Sequence, residues 1–160
     1  MVEDYLQTVP EKSDLMKPKP SADLLVLLTD AFGGRGGIAK FNRDLLTALC
    51  QHPEVTCVTA LPRVIVEEIG ILPAKLVFDV GASRGKASYL YHLLCLLTRR
   101  QHFGAVICAH IHLLPLAALL SLWYRAPIIL NIHGIEAWKR PQVFGLNLSL
   151  RRVTALISVS

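Results

Sequence analysis

The chain has 160 residues, of which 52% are apolar and 18% charged. This share of core-forming side chains excludes a disordered chain, and the length suits one compact domain. No apolar run approaches the roughly 18 residues that a membrane-spanning helix needs, and the acidic N-terminus (Glu3, Asp4) is unlike the basic start of a signal peptide. We therefore expect a cytoplasmic protein, and its net charge of +5 favours an anionic partner.

The first 22 residues form a polar lead-in to one predicted domain, residues 23–160. The lead-in ends in Lys17-Pro18-Lys19-Pro20, where the prolines oppose regular secondary structure. Beyond it, short apolar runs alternate with longer stretches of helical periodicity. Strands are predicted at 24–28, 55–59, 76–80, 105–109, 128–132 and 155–159, and helices at 38–50, 87–100, 114–124 and 142–152.

Several predicted strands are apolar on both faces, which is typical of parallel strands buried between helices. This strand–helix alternation predicts an α/β fold with a doubly wound parallel sheet of the Rossmann type. Ligands of such sheets bind beyond the carboxyl ends of the strands, so the residues after each strand are candidates for function. The chain stops at Ser160, directly after its last predicted strand, and a sheet edge without a covering helix indicates one domain of a larger protein.

A glycine-rich loop follows the first strand and leads into the first helix. It comprises Gly33, Gly34, Arg35, Gly36 and Gly37. Because glycine lets the backbone approach a ligand and a helix N-terminus offers free N–H groups, we expect a phosphate-binding cradle here. The loop also satisfies the dinucleotide pattern Gly34-x-Gly36-x-x-Ala39. Two features argue against dinucleotide binding. The glycines begin several residues after the strand, and Thr59 and Ala60 stand where the ribose-binding acid would be.

A second glycine-bearing turn, Asp79-x-Gly81-x-x-x-Gly85, ends the third predicted strand. It resembles the nucleotide turn of S-adenosylmethionine-dependent methyltransferases. That turn normally follows the first strand of its sheet, whereas two strands precede this one. The segment is also one residue short of a P-loop, and Ala87 stands where Ser or Thr would hold magnesium, so we exclude a P-loop.

Three histidines follow the fourth and fifth predicted strands: His110, His112 and His133. At the carboxyl edge of the sheet, an imidazole can donate to a phosphate or hydroxyl group, or accept a proton. A structural role is the alternative for each. We predict no metal site, because Pro115 opposes the extended strand that would place His110 and His112 on one side.

The four cysteines are Cys50, Cys57, Cys95 and Cys108. They form no C-x-x-C pair, which a zinc site or a thioredoxin-like redox motif would need. We expect buried, reduced thiols that act as small apolar side chains.

Basic residues concentrate in the second half of the chain. From Gly81 onward there are nine Lys or Arg and one acid, Glu136. This half suits a phosphate or the anionic surface of a membrane, and a solvated face without a partner is the alternative. The basic residues come in scattered pairs without interleaved aromatic residues, so we expect no nucleic-acid binding.

Four segments match a known family in order and spacing. They are 33–42, His110-x-His112-Leu-Leu-Pro, His133-Gly134-Ile135-Glu136-x-Trp138 and Ser158-Val159-Ser160. Together they resemble the N-terminal half of family-four glycosyltransferases, which are retaining sugar transferases of the two-Rossmann-domain GT-B architecture. The resemblance covers residues 23–160, and the His-Gly-Ile-Glu-x-Trp stretch is its most specific part.

The resemblance implies a role for each matching position. The loop 33–37 would approach the donor diphosphate and the acceptor, and His133 would lie beside the transferring sugar with Glu136 close by. His110 and His112 would bind substrate, with His110 on the acceptor side. The co-substrate would be a UDP- or GDP-linked nucleotide sugar, the acceptor a glycan or a lipid-linked molecule, and contact with the cytoplasmic face of an anionic membrane is part of this expectation.

The same resemblance implies that no metal or further cofactor is needed, since helix ends and basic side chains can neutralise the leaving diphosphate. The donor-binding C-terminal domain of the family is missing from this sequence, so we expect the chain alone to be inactive. Two alternatives remain open: a domain that binds S-adenosylmethionine or NAD, and a non-catalytic module that binds an anion or a partner.

Overall fold

The computed structural model describes residues 22–99, 101–134 and 145–159. The strands are β1 (Ala22–Leu28), β2 (Val55–Pro62), β3 (Leu76–Phe78), β4 (Ala105–Cys108), β5 (Ile128–His133) and β6 (Val153–Val159). The helices are α1 (Gly36–Gln51), α2 (Lys86–Thr98), α3 (Leu114–Tyr124) and α4 (Leu146–Leu150), with short 3-10 helices at Val80–Arg84 and Ile111–Leu113. Each predicted strand and helix therefore has a counterpart. The predicted lead-in lies outside the described residues except for Ala22, which begins β1.

The six strands form one parallel sheet in the order β3-β2-β1-β4-β5-β6. The prediction of a doubly wound parallel sheet is confirmed. The chain winds outward from β1 in one direction and then returns to continue from β4 in the other. The carboxyl ends of β1 and β4 therefore flank the topological switch point, which is the crevice where open α/β sheets bind ligands.

Two apolar cores cover the two faces of the sheet, because successive side chains of each strand point to opposite faces. In β1, Leu25 and Leu27 belong to one core, whereas Val26 and Leu28 belong to the other. Helix α1 covers the second of these faces, here called the α1 face, through side chains such as Leu46. Helices α2, α3 and α4 contribute to the opposite core and define the α2/α3 face.

The cysteines are free thiols, as predicted. Cys50 and Cys108 are buried, whereas Cys57 and Cys95 are half-buried, so the expectation of full burial is right for two of the four. Burial raises the pKa of Cys50 and of Cys57 above the ordinary thiol value. Within the part of the chain that the structure describes, no helix is long and apolar enough to cross a membrane.

Candidate functional site

The glycine loop lies between β1 and α1, and the segment after β2 holds it on one side. The Gly33 carbonyl accepts hydrogen bonds from the backbone N–H groups of Val66 and Glu67, at 2.8 and 2.9 Å. The Arg35 guanidinium pairs with the Glu67 carboxylate on the exposed side of the loop. The backbone of the loop is therefore fixed by contacts that the sequence pattern did not reveal.

Helix α1 holds the loop from the other side. The Asn42 amide donates from Nδ2 to the Asp30 carbonyl at 2.8 Å. The Arg43 guanidinium donates from Nη1 to the carbonyls of Ala31 and Gly34, at 2.9 and 3.0 Å. These bonds satisfy carbonyl groups that point back toward the helix. The loop therefore has a defined conformation without a ligand.

The glycines of the loop serve different purposes. A Cβ at Gly33 would lie 2.6 Å from the Glu67 carbonyl oxygen, and Gly34 is similarly enclosed, so packing requires both. Gly36 has φ of +89°, which favours glycine over any other residue. Gly37 is outside the left-handed region, and no described atom lies within 4 Å of the place where its Cβ would be. The internal contacts of the chain thus give no reason for glycine at 37, and the space beside it is open to a ligand.

The N-terminus of α1 opens onto this space. Its N-cap residue, Arg35, is extended and makes no side-chain capping bond, and the first turn holds no acidic side chain. The first N–H groups of a helix lack intrahelical partners, and the helix dipole adds partial positive charge there. The end of α1 therefore suits an anionic group.

His133 lies at the carboxyl end of β5 and is only 6% exposed. Its imidazole packs nearly perpendicular to the ring of Phe41 in α1, with ring centroids 5.3 Å apart. Phe41 follows Gly37 by four residues, so both occupy the same face of the helix about one turn apart. The fold thereby brings His133 to the same side of the sheet as the open end of α1.

Two buried asparagines accompany His133 on the α1 face. The amide nitrogen of Asn131 lies 3.4 Å from Nε2 of His133. An amide N–H group only donates, so Nε2 accepts and the neutral ring carries its proton on Nδ1 in this orientation of the amide. The oxygens Oδ1 of Asn131 and of Asn42 are buried without a hydrogen-bond partner among the described residues. An unpaired buried acceptor is costly, which favours a hydrogen-bond donor from a ligand or water at each.

The two histidines after β4 do not act as a pair. Strand β4 ends at Cys108, and the backbone N–H of His112 donates to Nδ1 of His110 at 3.2 Å. The neutral His110 ring therefore carries its proton on Nε2. His112 is exposed and lines a pocket on the α2/α3 face, together with Arg63 and Lys86. Its side chain is thus separated from His133, which lies on the α1 face.

The second glycine turn has an internal explanation. The Asp79 carboxylate pairs with Nδ1 of His92 at 2.7 Å. A side chain at Gly81 would collide with the same imidazole ring. The Asp-x-Gly pattern here accommodates and binds His92 of α2, so its features arise from packing within the chain.

Two further predictions concern Glu136 and a possible metal site. Glu136 lies outside the described residues, as does most of the His-Gly-Ile-Glu-x-Trp stretch. No group of three His, Cys, Asp or Glu side chains that could hold a metal occurs within the ranges that the structure describes. No sequence pattern indicated functional roles for Phe41, Asn42, Arg43 and Asn131. Only their place in segments beside the glycine loop and His133 could have indicated them.

Comparisons of the chain with protein-family models, curated proteins and solved structures found no match.

Proposed function

We propose that this chain is the N-terminal, acceptor-side half of a retaining GT-B glycosyltransferase. The observation that carries the proposal is the contact between His133 and Phe41, one helical turn from Gly37. This contact joins segment 33–42 to the stretch that begins at His133, two of the four segments that carry the family resemblance. It does so on the α1 face of a parallel sheet, beside its switch point.

In this proposal the donor is a UDP- or GDP-linked sugar. The free N–H groups at Gly36 and Gly37 stabilise the negative charge of its diphosphate, because a helix N-terminus is an anion-binding site. Helix ends that stabilise a leaving diphosphate make a metal unnecessary. A second Rossmann domain completes the nucleotide pocket, so the isolated chain binds nucleotides weakly.

His133 orients the transferring sugar. With Nε2 accepting from Asn131, the ring presents its Nδ1–H as a donor to a sugar oxygen. Asn131 is itself buried, so it holds the imidazole and does not touch the sugar. Glu136 follows three residues later and is proposed to steady His133 or an acceptor hydroxyl. His110 lines the acceptor side.

The acceptor is a glycan or a lipid-linked molecule. Exposed basic residues of the second half support contact with an anionic membrane at its cytoplasmic face; they include Lys86, Arg99, Arg125, Arg151 and Arg152. Scattered basic pairs do not favour nucleic acid as a partner.

A cofactor-binding domain is the second candidate, because the strand order equals that of dinucleotide-binding sheets. The end of β2 argues against NAD. It consists of Ala60, Leu61 and Pro62, followed by Arg63, so the acid that would bind the ribose hydroxyls is missing. The internal use of Asp79 and Gly81 argues against S-adenosylmethionine.

Titration of the ¹⁵N-labelled chain distinguishes these candidates. We expect UDP and GDP to shift the amide signals of Gly36 and Gly37 weakly, and NADH and S-adenosylmethionine to leave them unchanged. Gly37→Val fills the open space and is expected to abolish the shifts. Micromolar binding of NADH or S-adenosylmethionine would contradict the proposal and favour a cofactor domain. If no nucleotide changed the amide signals of Gly36 and Gly37, the loop would not be a diphosphate-binding site. A non-catalytic module would then be the favoured interpretation.

A further inference from the structure

A second pocket opens on the α2/α3 face, opposite the α1 face that holds His133. It has a volume of about 320 Å³, which is within the range of small-molecule sites, about 300–1,000 Å³. Its polar lining consists of Arg63, Lys86, Tyr89 and His112. None of the described residues that line it is acidic, so the pocket is electropositive.

The N-terminal ends of two helices meet at this pocket. Lys86 and Tyr89 belong to the first turns of α2, and Leu113 and Leu116 to the start of α3. Helix α2 has no side-chain cap, whereas α3 continues from the 3-10 helix Ile111–Leu113, which His110 caps. Neither α2 nor α3 has an acidic residue in its first turn. Both dipoles therefore add partial positive charge to that of the basic side chains.

Tyr89 supplies independent evidence for a ligand. It is 4% exposed, and its hydroxyl is buried without a hydrogen-bond partner in the described part of the chain. Leaving a buried hydroxyl unpaired costs about 1–3 kcal/mol, so a tyrosine has no advantage over phenylalanine here unless the hydroxyl binds something. Burial raises the pKa of Tyr89 well above its ordinary value, while the nearby Arg63 lowers it. The hydroxyl therefore keeps its proton at neutral pH and can donate.

The basic side chains of the pocket are also available to a ligand. The ion pairs of the described residues join Arg35 to Glu67, Lys40 to Asp44 and His92 to Asp79. None of these pairs involves Arg63 or Lys86. The described part of the chain thus provides cations at this pocket without an acid to neutralise them.

We propose that this pocket binds a phosphoryl group, held by Arg63, Lys86 and the Tyr89 hydroxyl, with the N-termini of α2 and α3 behind it. Arginine and lysine are the usual partners of phosphate, and a helix N-terminus favours the same charge. Leu90, Leu113 and Leu116 also line the pocket, so the molecule that carries the phosphate has an apolar part. The inference does not depend on the proposed sugar transfer, since it concerns the other face of the sheet.

A phosphoryl group of this kind comes from a free phosphomonoester or from a lipid headgroup. The full chain is therefore titrated with glycerol 3-phosphate by calorimetry. In a second arm it is sedimented with vesicles of phosphatidylcholine, with and without phosphatidic acid. Saturable binding of glycerol 3-phosphate identifies a free ligand, and saturable binding to phosphatidic acid vesicles alone identifies a lipid headgroup. No saturable binding in either arm would overturn the proposal.

Three variants test the position of the site. Arg63→Gln with Lys86→Gln is expected to weaken binding by about tenfold or more, because charge-assisted bonds to phosphate are the strong ones. The control, Arg99→Gln with Arg125→Gln, removes two exposed charges just beyond the other ends of α2 and α3. It is expected to keep wild-type affinity for glycerol 3-phosphate in solution, where the proposed membrane contact of these two residues plays no part. Equal losses in both double variants would mean general attraction to charge and would overturn the proposal.

Tyr89→Phe is the third variant, and it keeps the shape and charge of the pocket. It is expected to weaken binding about fivefold, the effect of one hydrogen bond of roughly 1 kcal/mol. A thermal unfolding midpoint at or above that of the wild type verifies that the variant is folded. Unchanged affinity in a folded Tyr89→Phe chain would contradict the role of the hydroxyl.

Discussion

The imidazole of His133 meets the ring of Phe41 at an interplanar angle of 84°, in an edge-to-face contact. This contact links the carboxyl end of β5 to α1, although 91 residues separate the two positions in the sequence. Edge-to-face aromatic contacts are directional, since the positive edge of one ring faces the negative face of the other. The pair therefore fixes the orientation of His133 relative to the glycine loop.

Replacing Phe41 by leucine tests that relationship. Leucine keeps the apolar bulk but removes the ring, so we expect the free energy of unfolding to fall by about 1 kcal/mol. The ring signals of His133 should shift in NMR spectra, because the neighbouring aromatic ring current is lost. Urea denaturation and histidine-selective NMR measure the two effects.

Trp123→Leu is the matched control, since Trp123 is 62% exposed on α3 and belongs to the opposite face. It should leave the His133 signals unchanged. Identical His133 signals in Phe41→Leu and the wild type would show that the ring contact does not hold the imidazole in place.

Alanine substitutions at Gly36 and Gly37 should have opposite effects on stability. Gly36 has φ of +89°, so alanine there is strained and should lower the free energy of unfolding by about 1–2 kcal/mol. Gly37 lies in α1 with open space beside it. Alanine there should raise the free energy of unfolding by about 0.5 kcal/mol, because alanine has the higher helix propensity.

The same pair of variants separates folding from binding. If a diphosphate approaches the backbone at Gly37, the more stable Gly37→Ala chain should still lose nucleotide-induced shifts. A Gly37→Ala chain that is more stable and keeps those shifts would show that the glycine does not serve the ligand.

Replacing Arg43 by glutamine should loosen the glycine loop. The guanidinium of Arg43 holds the carbonyls of Ala31 and Gly34, and the Gly34 N–H donates to the Ala31 carbonyl at 3.0 Å. Loss of the two charge-assisted bonds should speed hydrogen exchange at Gly34 and lower stability by about 1–2 kcal/mol. Lys40→Gln, which removes an exposed charge from the same helix, should leave the exchange of Gly34 as it is in the wild type.

The fold could be predicted from the sequence because burial on two faces leaves a strong local pattern. A strand such as β1, whose last five residues are all buried, is apolar throughout its centre, and the glycine loop marks the turn into α1. Neither signal depends on distant residues. The six strands were therefore predictable from short windows.

The details of the candidate site depend on contacts between distant positions. Nothing local indicates that Phe41 meets His133, or that the orphaned oxygen of Asn131 lies beside the same imidazole. The separation of His112 from His133 follows from the end of β4 at Cys108, a boundary that apolar pattern alone does not fix. Such features arise from register and crossover geometry, which become visible only in three dimensions.

The buried hydroxyl of Tyr89 should lower the stability of the ligand-free chain. Because it has no partner among the described residues, Tyr89→Phe should raise the free energy of unfolding by about 1 kcal/mol in the absence of phosphate. Tyr124→Phe is the opposite case, since the Tyr124 hydroxyl donates to the Leu96 carbonyl at 2.6 Å. Its loss should lower the free energy of unfolding by about 1 kcal/mol.

The contribution of Tyr89 to the free energy of unfolding should also depend on pH. In the unfolded chain a phenol ionises near its ordinary pKa of about 10, whereas burial keeps the pKa of Tyr89 far higher in the folded protein. Above about pH 10 the unfolded chain alone loses this proton, so the stability of the wild type falls as pH rises, by about 1.4 kcal/mol per pH unit from this group. Tyr89→Phe removes that contribution. Urea midpoints of the wild type and of Tyr89→Phe, measured from about pH 8 to about pH 11, should therefore diverge, with the variant the more stable at high pH. If the two midpoints changed in parallel with pH, Tyr89 would ionise as easily in the folded as in the unfolded chain.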